Sequence, residues 1–334
     1  MKNDKSLSVH EEAIIIDNLF ACPKPPKDSS YFEKCLQAGV TALHTSIVID
    51  DLPNFFDVIG YISSWYRGYE KYKDLIMPVN TTEDIITAKK KNKLGIILGF
   101  QSTKPIENNL DNLDIFAQLG IKIIQLTYQR RNWVGDGCGE RYDSGLSRFG
   151  IEVVKRMNEL GILIDLSHCG DKTIKDVIEI SKKPVAFTHA NARALCDNVR
   201  NKTDEQIKAL AEKEGVISLT LFSAFIKTGE KVLSEDFFEI VDHVVKLVGA
   251  DHVGFGFDYD PFKTKEEFDK WVSDNPEAAR GIDFNSRYPQ GMGSIDFCLP
   301  EITKGLLNRG YAEEDIKKFL GINNLNLFKK VWKE

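Results

Sequence analysis

The sequence predicts an α/β protein of the (β/α)8, or TIM-barrel, class with additional C-terminal helices, in one domain over residues 1–334. Three observations predict it. Eight short, nearly continuous apolar runs rich in β-branched residues recur along the chain, as expected of parallel strands covered on both faces. Segments with the 3.6-residue helical period separate them. Residues with metal-binding or proton-transfer chemistry collect at the carboxyl ends of the runs, where such a barrel carries its active site.

In chain order the runs are residues 13–17, 40–48, 94–100, 121–128, 161–168, 184–189, 215–222 and 252–258. Among the intervening segments, Thr203 and Gln206 have capping-box spacing at a helix entry, and residues 234–248 form the clearest amphipathic stripe. Residues 50–72 hold Trp65, Tyr66, Tyr69 and Tyr72, and residues 128–146 are rich in glycine. Both stretches are expected to be loops over a substrate. Residues 261–293 lack apolar rhythm and hold Trp271, Arg280, Arg287 and Tyr288, so a further loop over the barrel mouth is expected there. The last ~40 residues have helical period and are expected to pack outside the barrel.

Lys and Arg number 44 against 50 Asp and Glu, a formal charge of −6, which offers no general attraction to nucleic acid or anionic lipid. The polar amino-terminal stretch lacks a secretory pattern, and no run approaches the ~18 apolar residues of a spanning helix. A cytoplasmic protein without a membrane partner is expected. Six cysteines, Cys22, Cys35, Cys138, Cys169, Cys196 and Cys298, lack C-x-x-C spacing, which argues against a zinc ribbon or a disulfide framework. Cys169 adjoins His168, but free cysteine is commonly a small buried hydrophobe.

The strand ends present Asp17 or Asn18, His44, Gln101, Tyr128, His168, His189, Thr220 and Asp258. Two imidazoles at adjacent ends, His168 and His189, are the nitrogen donors that a divalent metal such as zinc takes, with iron or manganese as alternatives. A carboxylate at the last strand, Asp258, suits proton transfer to or from an attacking water. Arg200, 11 residues after His189, either clamps a substrate carboxylate or pairs with Asp197 or Asp204. His44 either faces the barrel interior or bonds a loop. His10, His243 and His252 have no such setting.

Residues 165–168 (DLSH), 187–191 (FTHAN) with Arg200 and Asn201, 251–258 (DHVGFGFD) and 320–323 (LGIN) together resemble the renal or membrane dipeptidase family, within the amidohydrolase-like metal-dependent hydrolases. The resemblance runs from Ile15 to Phe328 and implies a (β/α)8 barrel that hydrolyses dipeptides with paired zinc ions. It implies His168 and His189 as ligands of one zinc, Arg200 on the substrate carboxylate and Asp258 as the proton-handling acid. It also implies a homodimer.

Departures from the family pattern are concentrated on the other zinc. The first-strand Asp-Gly-His-x-Asp becomes residues 17–21 (DNLFA), with Leu19 and Ala21 at the ligand places. The bridging glutamate becomes Gln101, and a histidine after the fourth strand becomes Tyr128.

The expectation is therefore a mononuclear hydrolase. One ion sits on His168 and His189, with Gln101, Asp258 or water completing its shell and Tyr128 donating to the developing oxyanion. The substrate is a dipeptide or acyl-amino acid with a carboxylate for Arg200. Two alternatives stand beside it: a metal-free barrel that binds a small molecule, and a hydrolase of a lactone, cyclic amide or C–N bond.

Overall fold

The computed structural model describes residues 5–227, 231–259, 264–279 and 282–333. Nine parallel strands form its sheet: β1 (Ile16–Ala21), β2 (Ala42–Val48), β3 (Ile76–Pro78), β4 (Leu94–Phe100), β5 (Ile121–Gln125), β6 (Leu163–Asp165), β7 (Ala186–Phe187), β8 (Val216–Leu219) and β9 (Val253–Phe255). Pairing of β1 with both β2 and β9, and of β2 with β4, closes eight of them into a barrel wrapped by helices. The eight predicted runs supply those eight strands.

The ninth, β3, is an addition. It pairs with the start of β4, Met77 opposite Gly95, while β5 pairs with the end of β4, Gly99 opposite Ile123. Strand β3 thus fills the wedge left where β4 and β5 diverge. Three residues are too few to give a period-2 signal.

Side chains alternate across each strand, so one set faces the helices and the other fills the barrel. Ile16, Ala42, Ile97, Ile123, Leu163, Ala186 and Val216, one from each of seven barrel strands, form an interior layer. That layer packs on Leu325, Leu327, Phe328, Val331 and Trp332. The last helix, Asn323–Val331, therefore closes the floor of the barrel instead of packing outside it. Asn324 Oδ1 reaches up to accept from Asn18 Nδ2 at 2.8 Å and Ser218 Oγ at 3.3 Å, and Asn323 Nδ2 donates to the Ala250 and Val253 carbonyls. Before it the chain passes so close to β1 that a Cβ on Gly321 would lie 2.4 Å from the Ile14 carbonyl oxygen. The 320–323 motif is thus a floor clasp.

Residues 50–72 are mostly a helix, Phe55–Lys71, not a loop. Asn54 and Asp57 form a reciprocal capping box, and Val58, Ile62, Trp65 and Tyr69 repeat at helical spacing on its buried face. Trp65 is fully buried, so these aromatics build the core; a side chain of this kind contributes about 1.5–3 kcal/mol on leaving water. Residues 264–292 also hold helices, Lys265–Asp274 and Pro276–Ala279. Their Phe268 and Ala278 join Phe222 and Phe225 in a separate apolar cluster with Trp271 and Tyr288 against it, so residues 264–279 and 282–292 are a packed cover. Arg280 and residues 260–263 lie outside the described residues.

Candidate metal and substrate site

His168 and His189 follow the ends of β6 and β7, and their rings converge: Nε2 of one lies 2.9 Å from Nε2 of the other. Both rings are buried, His168 at 4% and His189 at 0% exposure. Burial first, and then the Arg200 guanidinium, pushes both imidazoles well below their ordinary pKa, so they are neutral donors near pH 7. A separation of this size lets one cation touch both nitrogens at the ~2.0–2.1 Å of a zinc–imidazole bond.

His189 is held from behind. His189 Nδ1 lies 2.8 Å from Thr188 Oγ1, whose hydroxyl donates to Asp165 Oδ2 at 2.7 Å. Asp165 Oδ1 accepts from the Ser167 and Thr188 backbone N–H groups and from the Ser167 hydroxyl. Metal-ligating histidines generally have such a partner on the second nitrogen. His168 Nδ1, in contrast, is buried without a hydrogen-bond partner among the described residues.

Tyr128 lies flat on the His168 ring, with centroids 4.4 Å apart and planes at 27°. The Trp271 indole N–H donates to its hydroxyl oxygen at 3.1 Å, which leaves the phenol proton free to donate elsewhere. Burial raises its pKa well above 10, so it stays a donor at neutral pH.

Arg200 is 1% exposed, and its Nη1 and Nη2 donate to the carbonyls of Ser167 and His189. These bonds replace the expected alternatives at Asp197 and Asp204: Asp204 pairs with His243 at 2.9 Å. Arg200 Nε has no partner among the described residues, and the guanidinium stands 5.0 Å from the Phe225 ring centroid. It ties together the two strands that carry the histidines.

Asp258 adopts φ 59°, a left-handed conformation that Asp tolerates better than most residues, and its carbonyl accepts from the Tyr288 hydroxyl at 3.0 Å. Its charge bears on Tyr128. Asp258 belongs to no group of three His, Cys, Asp or Glu suited to a metal among the described residues. Gln101 follows β4; its backbone N–H donates to the Val48 carbonyl and its backbone carbonyl accepts from Gln125 Nε2, and among the described residues no contact ties its side chain to the imidazoles. The donor set is two imidazoles. Imidazole nitrogens are of the kind a divalent cation takes, whereas the apolar side chains of Leu19 and Ala21 cannot ligate one.

His44 faces the interior. Its Nδ1 lies 2.7 Å from the Asn18 carbonyl oxygen, and its Nε2 fills the space in which a Cβ on Gly99 would lie only 2.2 Å away. Cys169 is buried, with its thiol near the Thr127 hydroxyl and pushed up to about 12 by burial. All six cysteines are free.

Sequence reasoning missed four neighbours. Asp50 and Asp51 follow β2; the Asp51 carboxyl accepts from Ser102 and is pushed up to about 6 by burial, and the Asp50 charge reaches Tyr128. Thr188, directly before His189, was visible as a hydroxyl next to an imidazole. Lys202 is fully buried over the Phe187 ring, and burial pushes its ammonium down to about 8. Nothing in the local text marks that lysine as internal.

The sequence profile of the family described as membrane dipeptidase (peptidase family M19) matches residues 33–273. An uncharacterized dipeptidase of Schizosaccharomyces pombe is 28% identical over 281 residues, 82% of this chain and 62% of that protein. Dipeptidase tcpJ of Claviceps purpurea is 27% identical over 278 residues, 82% and 60% of the two. The chain thus spans about three fifths of the length of these curated relatives. A solved amidohydrolase from Pseudomonas aeruginosa is similar over 98% of this chain and 99% of its own, at 34% identity and a TM-score of 0.90.

Proposed function

This chain belongs to the membrane dipeptidase family, and on that premise we propose that it is a mononuclear metallohydrolase that cleaves a small amide, a dipeptide or an acyl-amino acid, bearing a carboxylate. The observation that carries the reading is the 2.9 Å convergence of two neutral imidazole nitrogens at the barrel mouth. His168 and His189 hold the ion, with zinc favoured over iron or manganese. A cation held there supplies Lewis acidity, polarising a carbonyl and making water more acidic.

The chain's own groups do the rest. Tyr128 donates its proton in a hydrogen bond to the carbonyl oxygen as negative charge develops there. Asp258 takes the proton of the attacking water and delivers it to the leaving nitrogen as the C–N bond breaks. Arg200 holds the substrate carboxylate through its unpartnered Nε and fixes the amide beside the imidazoles. The residues 264–292 cover excludes water, with Trp271 seated on Tyr128. The reading includes a homodimer in the cytoplasm, with no nucleic-acid or membrane partner; among the described residues no helix is long and apolar enough to cross a membrane.

Protein purified without added ions is expected to retain zinc, iron or manganese near one equivalent, and the His168→Asn variant is expected to lose it. Turnover of dipeptides with L or D residues, or of acyl-amino acids, is expected to fall in Asp258→Asn while metal content stays. Protein that takes up no metal at micromolar concentration overturns the reading. The poverty of the donor set favours a second reading, a metal-free barrel that binds a small molecule; calorimetric binding of an uncleaved carboxylate to metal-free protein supports it.

A further inference from the structure

We propose that Asp165, acting through the hydroxyl of Thr188, locks His189 as its Nδ1–H tautomer, so that His189 offers a bare Nε2 while the proton between the two imidazoles sits on His168. Asp165 and Thr188 are then positioning residues. The consequence for cation binding rests on the hydrolase reading; the proton assignment does not.

The argument is a count of protons. A carboxylate only accepts, and Asp165 receives four donors: Ser167 N at 3.0 Å, Thr188 N at 3.0 Å and Ser167 Oγ at 2.6 Å on Oδ1, and Thr188 Oγ1 at 2.7 Å on Oδ2. A hydroxyl has one proton, and that of Thr188 is engaged on Asp165. The Ser167 proton goes to Asp165 as well, since its 3.3 Å separation from Thr188 Oγ1 is much the longer contact. Thr188 Oγ1 also stands 2.8 Å from His189 Nδ1, and a contact that short between two electronegative atoms needs a proton. The imidazole is the remaining source, so His189 Nδ1 carries it.

A neutral imidazole has one N–H, which leaves His189 Nε2 as an acceptor. The atom facing it at 2.9 Å is His168 Nε2, and by the same rule the proton there belongs to His168. His168 Nδ1, buried and without a partner, is then the bare nitrogen. The two residues are therefore unequal. His189 is ready to ligate without rearrangement, whereas His168 must move its proton from Nε2 to Nδ1, with no net loss of protons, before its Nε2 can meet a cation. Among the described residues no acceptor waits for that proton.

The test is done on chelator-treated protein labelled with 15N-histidine, in which long-range 1H–15N spectra report the tautomer of each of the six histidines. Assignments come from His168→Gln and His189→Gln. The expected pattern is Nδ1–H at His189 and Nε2–H at His168. Titration with Zn²⁺ alone is expected to convert His168 and leave His189 unchanged. In Thr188→Val the His189 signal shifts toward Nε2–H and the zinc Kd weakens about 10- to 100-fold, and Thr188→Ser restores both. An Nε2–H form of His189 in the unaltered protein overturns the proposal, as does an unshifted His189 in folded Thr188→Val. If Thr188→Val does not fold, the spectrum of the unaltered protein decides. Should that spectrum show the expected tautomers while zinc fails to bind, the relay stands and the metallohydrolase reading falls.

Discussion

The ends of β6 and β7 and the ends of β1, β2 and β4 belong to one ring around one mouth, and both sides carry imidazole. On the β6–β7 side two rings turn their Nε2 atoms toward each other, backed by the Asp165, Ser167 and Thr188 hydrogen bonds. On the β1–β2–β4 side His44 has its Nδ1 engaged by the Asn18 carbonyl and its Nε2 fitted against Gly99, and Leu19, Ala21 and Gln101 occupy the sequence positions at which the resembling family carries ligands. Imidazole is therefore not what distinguishes the two sides. The difference is what stands in front of the ring: His168 and His189 turn Nε2 toward each other, although only His189 has a relay behind it, whereas the Nε2 of His44 meets the Gly99 backbone and the ring packs there.

Substituting the rings themselves breaks that comparison most strongly. His189→Asn is expected to reduce kcat/KM on any amide substrate by on the order of 10³ or more and to abolish stoichiometric metal, because several kcal/mol of charge stabilisation leave with the ion. His44→Asn is expected to keep the metal, measured by plasma emission on the folded variant. Equal metal loss in both variants would erase the distinction between the two sides.

Tyr128→Phe is next. It keeps the stack on His168 and removes only the hydroxyl, so kcat is expected to fall about 10²–10³-fold with little change in metal content. Because its phenol pKa is raised by burial, no activity loss from its ionisation is expected below about pH 10. An alkaline fall near pH 8–9 that disappears in Tyr128→Phe contradicts this.

The other side answers to pH. Burial pushes His44 down to about 4, whereas an unfolded imidazole titrates near 6.5. Below pH 6.5 the unfolded chain takes up a proton that the folded one refuses. His44 thus costs nothing above pH 6.5, and folding stability falls as pH drops toward 4. The stability of His44→Asn relative to the unaltered protein is expected to improve on acidification from pH 7 to 4, by up to about 3 kcal/mol in urea titrations. Asp17→Asn is expected to shift the opposite way, because burial raises the Asp17 carboxyl to about 7 and the folded protein holds that proton more tightly than the unfolded chain. The smallest effect is expected from Gly99→Ala, whose new methyl meets His44 Nε2 and the Ile123 carbonyl, for a loss of about 1–3 kcal/mol.

The eight barrel strands were visible in the sequence because each is buried on both faces and is written as an unbroken apolar run. The positions of His168, His189, Tyr128 and Asp258 as the last residues of four of those runs were visible for the same reason. The helix Phe55–Lys71 was obscured by its own aromatic richness, although Asn54 and Asp57 had announced its start. The Thr188 relay was out of reach for a different reason. It joins an aspartate on β6 to a threonine after β7, residues 165 and 188, through register that no local pattern encodes. Arg200 shows the same limit: its spacing from His189 placed it at the mouth, but its bonds to two backbone carbonyls depend on where the neighbouring strand ends.

The floor helix bears on how the molecule is made. Every barrel strand precedes residue 256, yet the segment that seals their lower ends begins at Asn323. During synthesis the ribosome will have delivered all eight staves while Ile16, Ile97, Leu163 and their companions still face water from below. A nascent chain halted between those points should expose greasy surface and attract chaperones. Emergence of the helix Asn323–Val331 is then the event that converts a leaky cylinder into a finished vessel.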